Sequence, residues 1–295
     1  MTFETFLFVL AGGLVLGALY ALMATGLAVV WTTLGIFNFA HGAFITFGAY
    51  LAWQVSQTEA GNAGYFAGAA AAVAGLFITG VIFHLALVRP FERKPNVVLL
   101  SVITTLAGAT ILENAIDLVW GPRSKQLAPM VPGDATFFGV TTSKNQILMI
   151  VLVLIILAAV GAFLRYSATG RAMRAVAQNR EAAELMGLDV PKLYAGAFGL
   201  SAAIAGLAGL FVGSIHFMTP SMGTDPLMKA LLVVIFGGVA RFTSPIYAAF
   251  VVGLVEAFST YYVGLYWTPA VLFGLMIVVL IVKPEGLFGK YERSV

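Results

Sequence analysis

Few side chains in this sequence have the chemistry for a functional site, and those few lie in long apolar runs. Asn38 and His41 stand three residues apart, Glu113 and Asp117 stand four apart, and Glu256 stands alone. No nucleophile and base have a recognisable catalytic spacing, and no cluster has metal-ligand spacing. The Gly-x-x-x-x-Gly-Lys-Ser/Thr motif that binds ATP phosphates is also absent. The sequence therefore predicts neither an enzyme nor a bound metal or cofactor.

The first two pairs each have a structural and a functional interpretation. On a helix, Asn38 and His41 would share one face, either as a hydrogen-bonded pair that joins helices or as the lining of a transport path. Glu113 and Asp117 lie near the end of an apolar run. We expect them either at the wet interface or at the external mouth of a path, where they would meet a substrate's ammonium group.

Glu256 lies midway along an apolar run, where a carboxylate needs a partner, a proton or water. Pairing with Lys229 or Arg241 and contact with a substrate both remain open. His84 and His216 stand near the ends of their runs, so both are expected to reach the interface.

The composition is that of a membrane protein. Of the 295 residues, 60% are apolar and 10% are charged, whereas soluble domains carry about 25% charged residues. Residues 5–58, 61–88, 193–224 and 257–282 contain no Asp, Glu, Lys or Arg. Each run exceeds the ~20 residues that a membrane-spanning helix needs. We therefore predict an all-α, polytopic bundle in one transmembrane domain, residues 1–295, with lipid and no nucleic acid around it.

Hydropathy predicts nine apolar segments and supports eight to ten spans. The seventh is too short to cross a bilayer alone and is expected to be a broken or re-entrant helix. A Gly13-x-x-x-Gly17 spacing in the first segment is typical of close helix packing. The segments are residues 7–30, 36–53, 63–88, 97–119, 147–164, 193–215, 227–239, 246–263 and 265–282.

Lysine and arginine concentrate on the cytoplasmic side of membrane proteins, so their distribution predicts orientation. With the N-terminus outside and the C-terminus in the cytoplasm, twelve basic residues lie inside and four outside. The inside set is Arg89, Arg93, Lys94, Arg165, Arg171, Arg174, Arg180, Lys192, Arg241, Lys283, Lys290 and Arg293, and the outside set is Arg123, Lys125, Lys144 and Lys229.

Two connections are long enough to have structure. Residues 120–145 are rich in Pro and Gly, which favours an irregular extracytoplasmic loop. Residues 165–192 form a cytoplasmic connection in which 171–186 is rich in helix formers, so a short helix outside the membrane is expected there, ended by Gly187. Its apolar face, Ala182 with Leu185 and Met186, would rest on lipid headgroups or be offered to a soluble partner.

The same connection carries a resemblance to a known family. Glu181-Ala182-Ala183 followed by Gly187 resembles the loop by which ABC importer permeases dock on their ATPase, and Asn38-Phe-Ala-His41-Gly42 resembles an element of the branched-chain amino acid permeases. The resemblance extends from about Gly13 to Gly289. Its further segments are residues 17–22, 34–37, 88–91, 101–114, 235–239 and 253–256.

The resemblance implies an ABC importer permease subunit in the bacterial inner membrane. It implies a second homologous permease subunit, two separate ATPase subunits on which ATP acts, and a periplasmic or extracellular substrate-binding protein. The residues expected to couple to the ATPase are Arg180, Glu181, Ala182, Ala183, Glu184 and Gly187. The residues expected along the substrate path are Asn38, His41, Gly42, Glu113, Asn114, Gly237, Gly238 and Glu256.

The substrate class is less determined than the transport class. Branched-chain amino acids are favoured, but urea and short-amide importers share this permease type, and residues 240–245 depart from the small residues usual after Gly237-Gly238. An ion-driven secondary transporter that uses Glu256 or Glu113 as its ion carrier is the alternative from another class.

Overall fold

The structure is a computed structural model, and it describes residues 2–58, 61–92, 94–137, 139–238 and 242–289. The predicted polytopic helical bundle is confirmed: six of the described helices are long and apolar enough to cross a membrane. The helices are α1 (Phe3–Leu34), α2 (His41–Ser56), α3 (Gly61–Phe83), α4 (Val97–Trp120), α5 (Lys144–Tyr166), α6 (Ala168–Gln178), α7 (Arg180–Leu185), α8 (Val190–Ile215), α9 (Thr224–Gly237), α10 (Ser244–Val263) and α11 (Thr268–Val282).

Every predicted apolar segment corresponds to a helix, but three of these helices are short. α2, α9 and α11 have 16, 14 and 15 residues. At about 1.5 Å per residue, α9 extends about 21 Å, which is less than the ~30 Å hydrocarbon core. The short seventh segment is thus confirmed. The predicted start of the second segment at Ile36 is wrong, because Gly35 has a left-handed φ of +72° and residues 36–40 are not helical.

The chain divides into two compact units. The first contains Met1–Thr25, Val131–Leu157 and Met228–Val295, and the second contains Gly26–Met130 and Ala158–Leu227. Three of the four boundaries fall within α1, α5 and α9, and the fourth lies between Met130 and Val131, in the connection after α4.

In the first unit, α1 and α10 approach closely at glycines. Gly13 faces Leu254 and Gly17 faces Phe250, while a Cβ atom on Gly253 would collide with the backbone of Gly17. The predicted small-residue packing is confirmed here. This unit also contains an antiparallel hairpin of β1 (Asp134–Phe137) and β2 (Val140–Ser143). The 120–145 connection is therefore more regular at its end than its composition predicted.

In the second unit, α8 packs against α2 and α3, and α4 packs against α2. Helix α8 is the central element of this unit, since 83% of the residues in its most apolar 18-residue stretch are buried. Its Gly209 lies directly against the Ile45 carbonyl oxygen of α2, so that a Cβ atom there would collide with it. Small residues on α8 thus allow α2 to pack closely against it.

The connection 165–192 contains two helices, so the expectation of one helix over 171–186 is wrong. Asn179 has extended backbone angles of φ −156° and ψ 106° and separates α6 from α7. Its side-chain Oδ1 accepts a hydrogen bond from the Ala182 N–H at 2.9 Å, and a short polar side chain at this position is a common N-cap. The predicted end is confirmed: Gly187 follows α7 with a left-handed φ of +82°.

Candidate functional site

Asn38 lies in the non-helical break between α1 and α2 and is completely buried. Its Oδ1 accepts a hydrogen bond from the Ala40 N–H at 3.1 Å, while its Nδ2 has no partner among the described residues. An unpartnered buried donor costs about 1–3 kcal/mol. The expectation that Asn38 shares a helix face with His41 is wrong, because α2 begins only at His41.

Helix α4 supplies the polar surface beside this break. The Phe39 N–H donates to Thr105 Oγ1 at 3.2 Å, and the Thr105 hydroxyl donates to the Ser101 carbonyl at 2.7 Å. Both α4 residues are fully buried, and Ser101 Oγ has no partner within the described ranges. The sequence reasoning missed both, although their i, i+4 spacing in an apolar helix was a usable signal.

His41 opens α2 in fully buried surroundings. Its Nδ1 lies 3.5 Å from the hydroxyl of Ser201 on α8. A Cβ atom on Gly26 of α1 would come within 2.8 Å of the imidazole Cε1. Gly42, the next residue, lies directly against the carbonyl oxygen of Gly223, which precedes α9. A Cβ atom on Gly42 would collide with that oxygen. These two path candidates therefore have a packing role within the second unit.

Glu256 occupies a buried polar cluster in the first unit. One carboxylate oxygen, Oε1, is 2.8 Å from Lys229 Nζ of α9, and the other, Oε2, accepts a 2.6 Å hydrogen bond from the Tyr20 hydroxyl of α1. The Glu256 side chain is only 8% exposed. Of the possibilities that the sequence left open, pairing with Lys229 is the one present. Arg241, the other partner considered, lies outside the described residues.

Three of the remaining path candidates, Asn114, Gly237 and Gly238, have local explanations. Asn114 donates to the Thr110 carbonyl of its own helix at 2.7 Å. Neither Glu113 nor Asp117 forms an ion pair with another described residue. Gly237 ends α9, and Gly238 follows with a φ of +89°. A Cβ atom on Gly238 would collide with the Glu285 carbonyl oxygen. The glycine pair thus lets residues 285–289 pack on the end of α9.

The predicted coupling residues lie together on and after α7. Ala183 is buried in a small apolar cluster with Val176, Val190 and Tyr194. By contrast, Leu185 and Met186 are 89% and 82% exposed. The helix is therefore anchored by one face and leaves a large apolar surface uncovered. Glu181, Ala182 and Glu184 are also exposed.

Arg180 connects α7 to its surroundings. Its Nε donates to Glu184 Oε1 at 3.1 Å, and its guanidinium lies 5.4 Å from the ring centroid of Tyr194 on α8. Partial burial lowers the pKa of Arg180, but the hydrogen bond to Glu184 and nearby negative charges outweigh this and raise it. Arg180 therefore stays charged, in a fixed orientation over the aromatic ring.

His84 was expected to reach the interface, and that expectation is wrong. It is fully buried, and its Nε2 lies 2.7 Å from Glu92 Oε1. His216 is exposed, as expected. Among the described residues, no group of three or more His, Asp or Glu side chains is arranged to hold a metal ion.

Comparison with known proteins agrees with the resemblance found in the motifs. A family model described as the permease component of the branched-chain amino acid transport system matches residues 9–280. The high-affinity branched-chain amino acid transport system permease protein LivH of Escherichia coli K12 is 28% identical over 98% of both chains. BraD, with the same description in Pseudomonas aeruginosa, is 28% identical over 96% of this chain and 95% of its own.

A probable branched-chain amino acid transport permease protein LivH from Methanocaldococcus jannaschii is also 28% identical, over 95% of this chain and 92% of its own. No solved structure gives a significant match to the chain. The family model covers most of the sequence and all six long apolar helices lie largely within it. The chain is therefore a multi-pass membrane protein that belongs to the family of branched-chain amino acid transport system permease components.

Proposed function

We propose that this chain is the membrane-spanning permease subunit of an ATP-driven importer that moves branched-chain or related amino acids into the cytoplasm. The family membership supports transport, and the printed descriptions of the relatives favour branched-chain amino acids as the substrate class. The chain has no phosphate-binding loop of its own. ATP is hydrolysed on separate subunits, and the chain itself is not an enzyme.

The observation that carries the proposal is the uncovered apolar end of α7. Leu185 and Met186 are almost fully exposed beside Glu181, while Ala183 of the same helix is buried. An exposed apolar patch on an anchored helix is typical of a protein interaction site. Its place directly after Glu181-Ala182-Ala183, the motif that resembles the ATPase-docking loop, favours an ATPase subunit as the partner.

The proposed transporter works by alternating access. A substrate-binding protein delivers the ligand, two ATPase subunits close on ATP, and their movement is transmitted through residues 165–192 to the membrane helices. A second homologous permease supplies the other half of the transport path. The N-terminus is placed outside and the C-terminus in the cytoplasm of an inner-membrane protein, as the basic residues favour.

Polar groups at the helix break of the second unit are the proposed contributors to the substrate path. In the second unit, the break that contains Asn38 leaves the Asn38 Nδ2 and Ser101 Oγ atoms unpartnered. Broken helices often present such groups to substrates in transporters. In the first unit, Glu256 is occupied by Lys229 and Tyr20, which supports a structural role and disfavours an ion-carrying role.

The test is reconstitution of the chain with its candidate ATPase subunits and binding protein in liposomes. We expect ATP-dependent uptake of leucine, isoleucine or valine that persists with a proton and sodium ionophore present. Uptake that needs no ATPase subunit and stops with the ionophore would contradict the proposal and support a secondary transporter. Uptake of urea or short amides in place of amino acids would keep the ATP-driven mechanism and change the substrate.

A further inference from the structure

The end of α3 departs from regular helix geometry. Residues His84–Val88 form a π-helical turn, and Arg89–Phe91 continue as a 3₁₀ turn. A π turn holds one more residue than an α turn, and such turns are frequent at functional sites. The hydrogen bond between His84 Nε2 and Glu92 Oε1, at 2.7 Å, closes across both turns. This segment is therefore a helix end whose irregular backbone is held by one buried side-chain pair.

Two aromatic residues of α8 hold the His84 ring on its other sides. The ring centroids of His84 and Phe198 are 5.4 Å apart, and those of His84 and Tyr194 are 6.5 Å apart in an edge-to-face arrangement. Phe198 is fully buried and Tyr194 is 5% exposed. The interior here is close-packed, so a displacement of Tyr194 must displace the His84 ring as well.

Tyr194 is also the residue that α7 contacts. The Arg180 guanidinium lies over its ring at 5.4 Å, and Ala183 packs in the same apolar cluster. A series of contacts, from Arg180 to Tyr194, from Tyr194 to His84 and from His84 to Glu92, thus joins α7 to the irregular end of α3 within one unit. Nothing in the sequence motifs indicated this connection, because its members are separated by up to 110 residues in the chain.

We propose that Tyr194, His84 and Glu92 are positioning residues that carry a displacement of α7 into the π-helical end of α3. The inference rests on the proposed function, since the displacement comes from an ATPase subunit docked on Leu185 and Met186. Arg180 pushes on the Tyr194 ring, and the His84–Glu92 pair moves with it. The π turn absorbs or releases its extra residue, and this changes the register of α3.

The test uses the complete transporter in liposomes, with uptake and ATP hydrolysis measured in the same vesicles. Tyr194→Leu and Glu92→Leu remove the ring contact and the hydrogen bond. We expect each to lower the amount of substrate imported per ATP by about tenfold. Tyr194→Phe keeps the ring and Glu92→Gln keeps an acceptor for His84, so both should restore the ratio. Tyr266→Leu, at a tyrosine that is 86% exposed and lies outside residues 165–192, is the matched control.

A merely structural role would lower assembly or both rates together and leave the ratio of import to hydrolysis unchanged. An unchanged ratio in assembled Tyr194→Leu and Glu92→Leu transporters would overturn the proposal. Failure of the proposed function gives a different result, because the wild-type chain would then show no ATP-dependent uptake at all.

A second measurement follows the movement itself and does not depend on the leucine variants. The chain contains no cysteine, so spin labels can be attached at cysteines introduced at Lys94 and Ala177, which are both exposed. We expect the distance between the labels to change on ATP binding in the assembled wild type and in Tyr194→Phe. An unchanged distance in the wild type would also overturn the proposal.

Discussion

The Lys229 ammonium and the Glu256 carboxylate lie 2.8 Å apart and join α9 to α10. The second carboxylate oxygen accepts from the Tyr20 hydroxyl of α1, so three helices of the first unit meet at one buried acid. Two helices at this junction also pack closely through Gly13 and Gly17. The cluster thus connects segments that are far apart in the sequence, and its contribution to stability can be measured.

Lys229→Met should destabilise the protein by about 3 kcal/mol, because it leaves the Glu256 carboxylate buried without its cation. The double variant Lys229→Met/Glu256→Met removes both charges and should recover most of that loss. The measurement is denaturant or thermal unfolding of the purified permease in detergent. A double variant that is less stable than Lys229→Met would contradict a mainly electrostatic cause.

Tyr20→Phe should reduce the free energy of unfolding by about 1.5–3 kcal/mol, since it removes a hydrogen bond to a charged acceptor and leaves the ring in place. The matched control is Tyr247→Phe, whose tyrosine is 61% exposed and should change stability little. Equal effects of the two substitutions on the free energy of unfolding would show that the hydrogen bond to Glu256 adds no stability beyond that of an exposed tyrosine hydroxyl.

Gly187→Arg should leave insertion intact and abolish both transport and substrate-stimulated ATP hydrolysis. The side chain would project beside the proposed docking surface of α7, and the left-handed φ of +82° adds a backbone strain of about 1–2 kcal/mol. Gly121→Arg is the control, because Gly121 also has a left-handed φ, of +76°, and open space around it. Retained coupling in Gly187→Arg would remove the ATPase-docking role from this loop.

Two substitutions on α4 should distinguish the stability contribution of the unpartnered Ser101 hydroxyl from that of the hydrogen-bonded Thr105 hydroxyl. Ser101→Ala deletes an oxygen that has no partner in the described chain, so stability should change by less than about 0.5 kcal/mol. Thr105→Val deletes a hydroxyl with three partners, the Phe39 N–H in the break and the Ser101 and Val102 carbonyls of α4, and should cost about 1–2 kcal/mol.

If the break lines the substrate path, Ser101→Ala should still lower uptake, despite its normal stability. We expect a raised KM or a reduced maximal rate in the reconstituted transporter. Normal uptake kinetics in Ser101→Ala would place Ser101 outside the path, and a large loss of stability would indicate that its hydroxyl has a partner after all.

Hydropathy identified the apolar helices because membrane spans are long and uniformly apolar. The motif around Glu181 and Gly187 could also be identified from the sequence, since it depends on short spacing and on a glycine at the position where a helix commonly ends. The break at residues 35–40 was only partly visible. Asn38 and His41 look like one helix face in the sequence, and only the backbone places the first of them outside α2.

By itself, the sequence determined the protein class, the apolar segments and the loop that resembles an ATPase-docking site, because these depend on composition and short spacing. Only the tertiary structure decided which partner Glu256 takes, that Tyr20 joins it, and that His84 is buried against Glu92 and α8. Such contacts join residues that are distant in the chain. Helix packing selects them, and neither hydropathy nor periodicity contains that information.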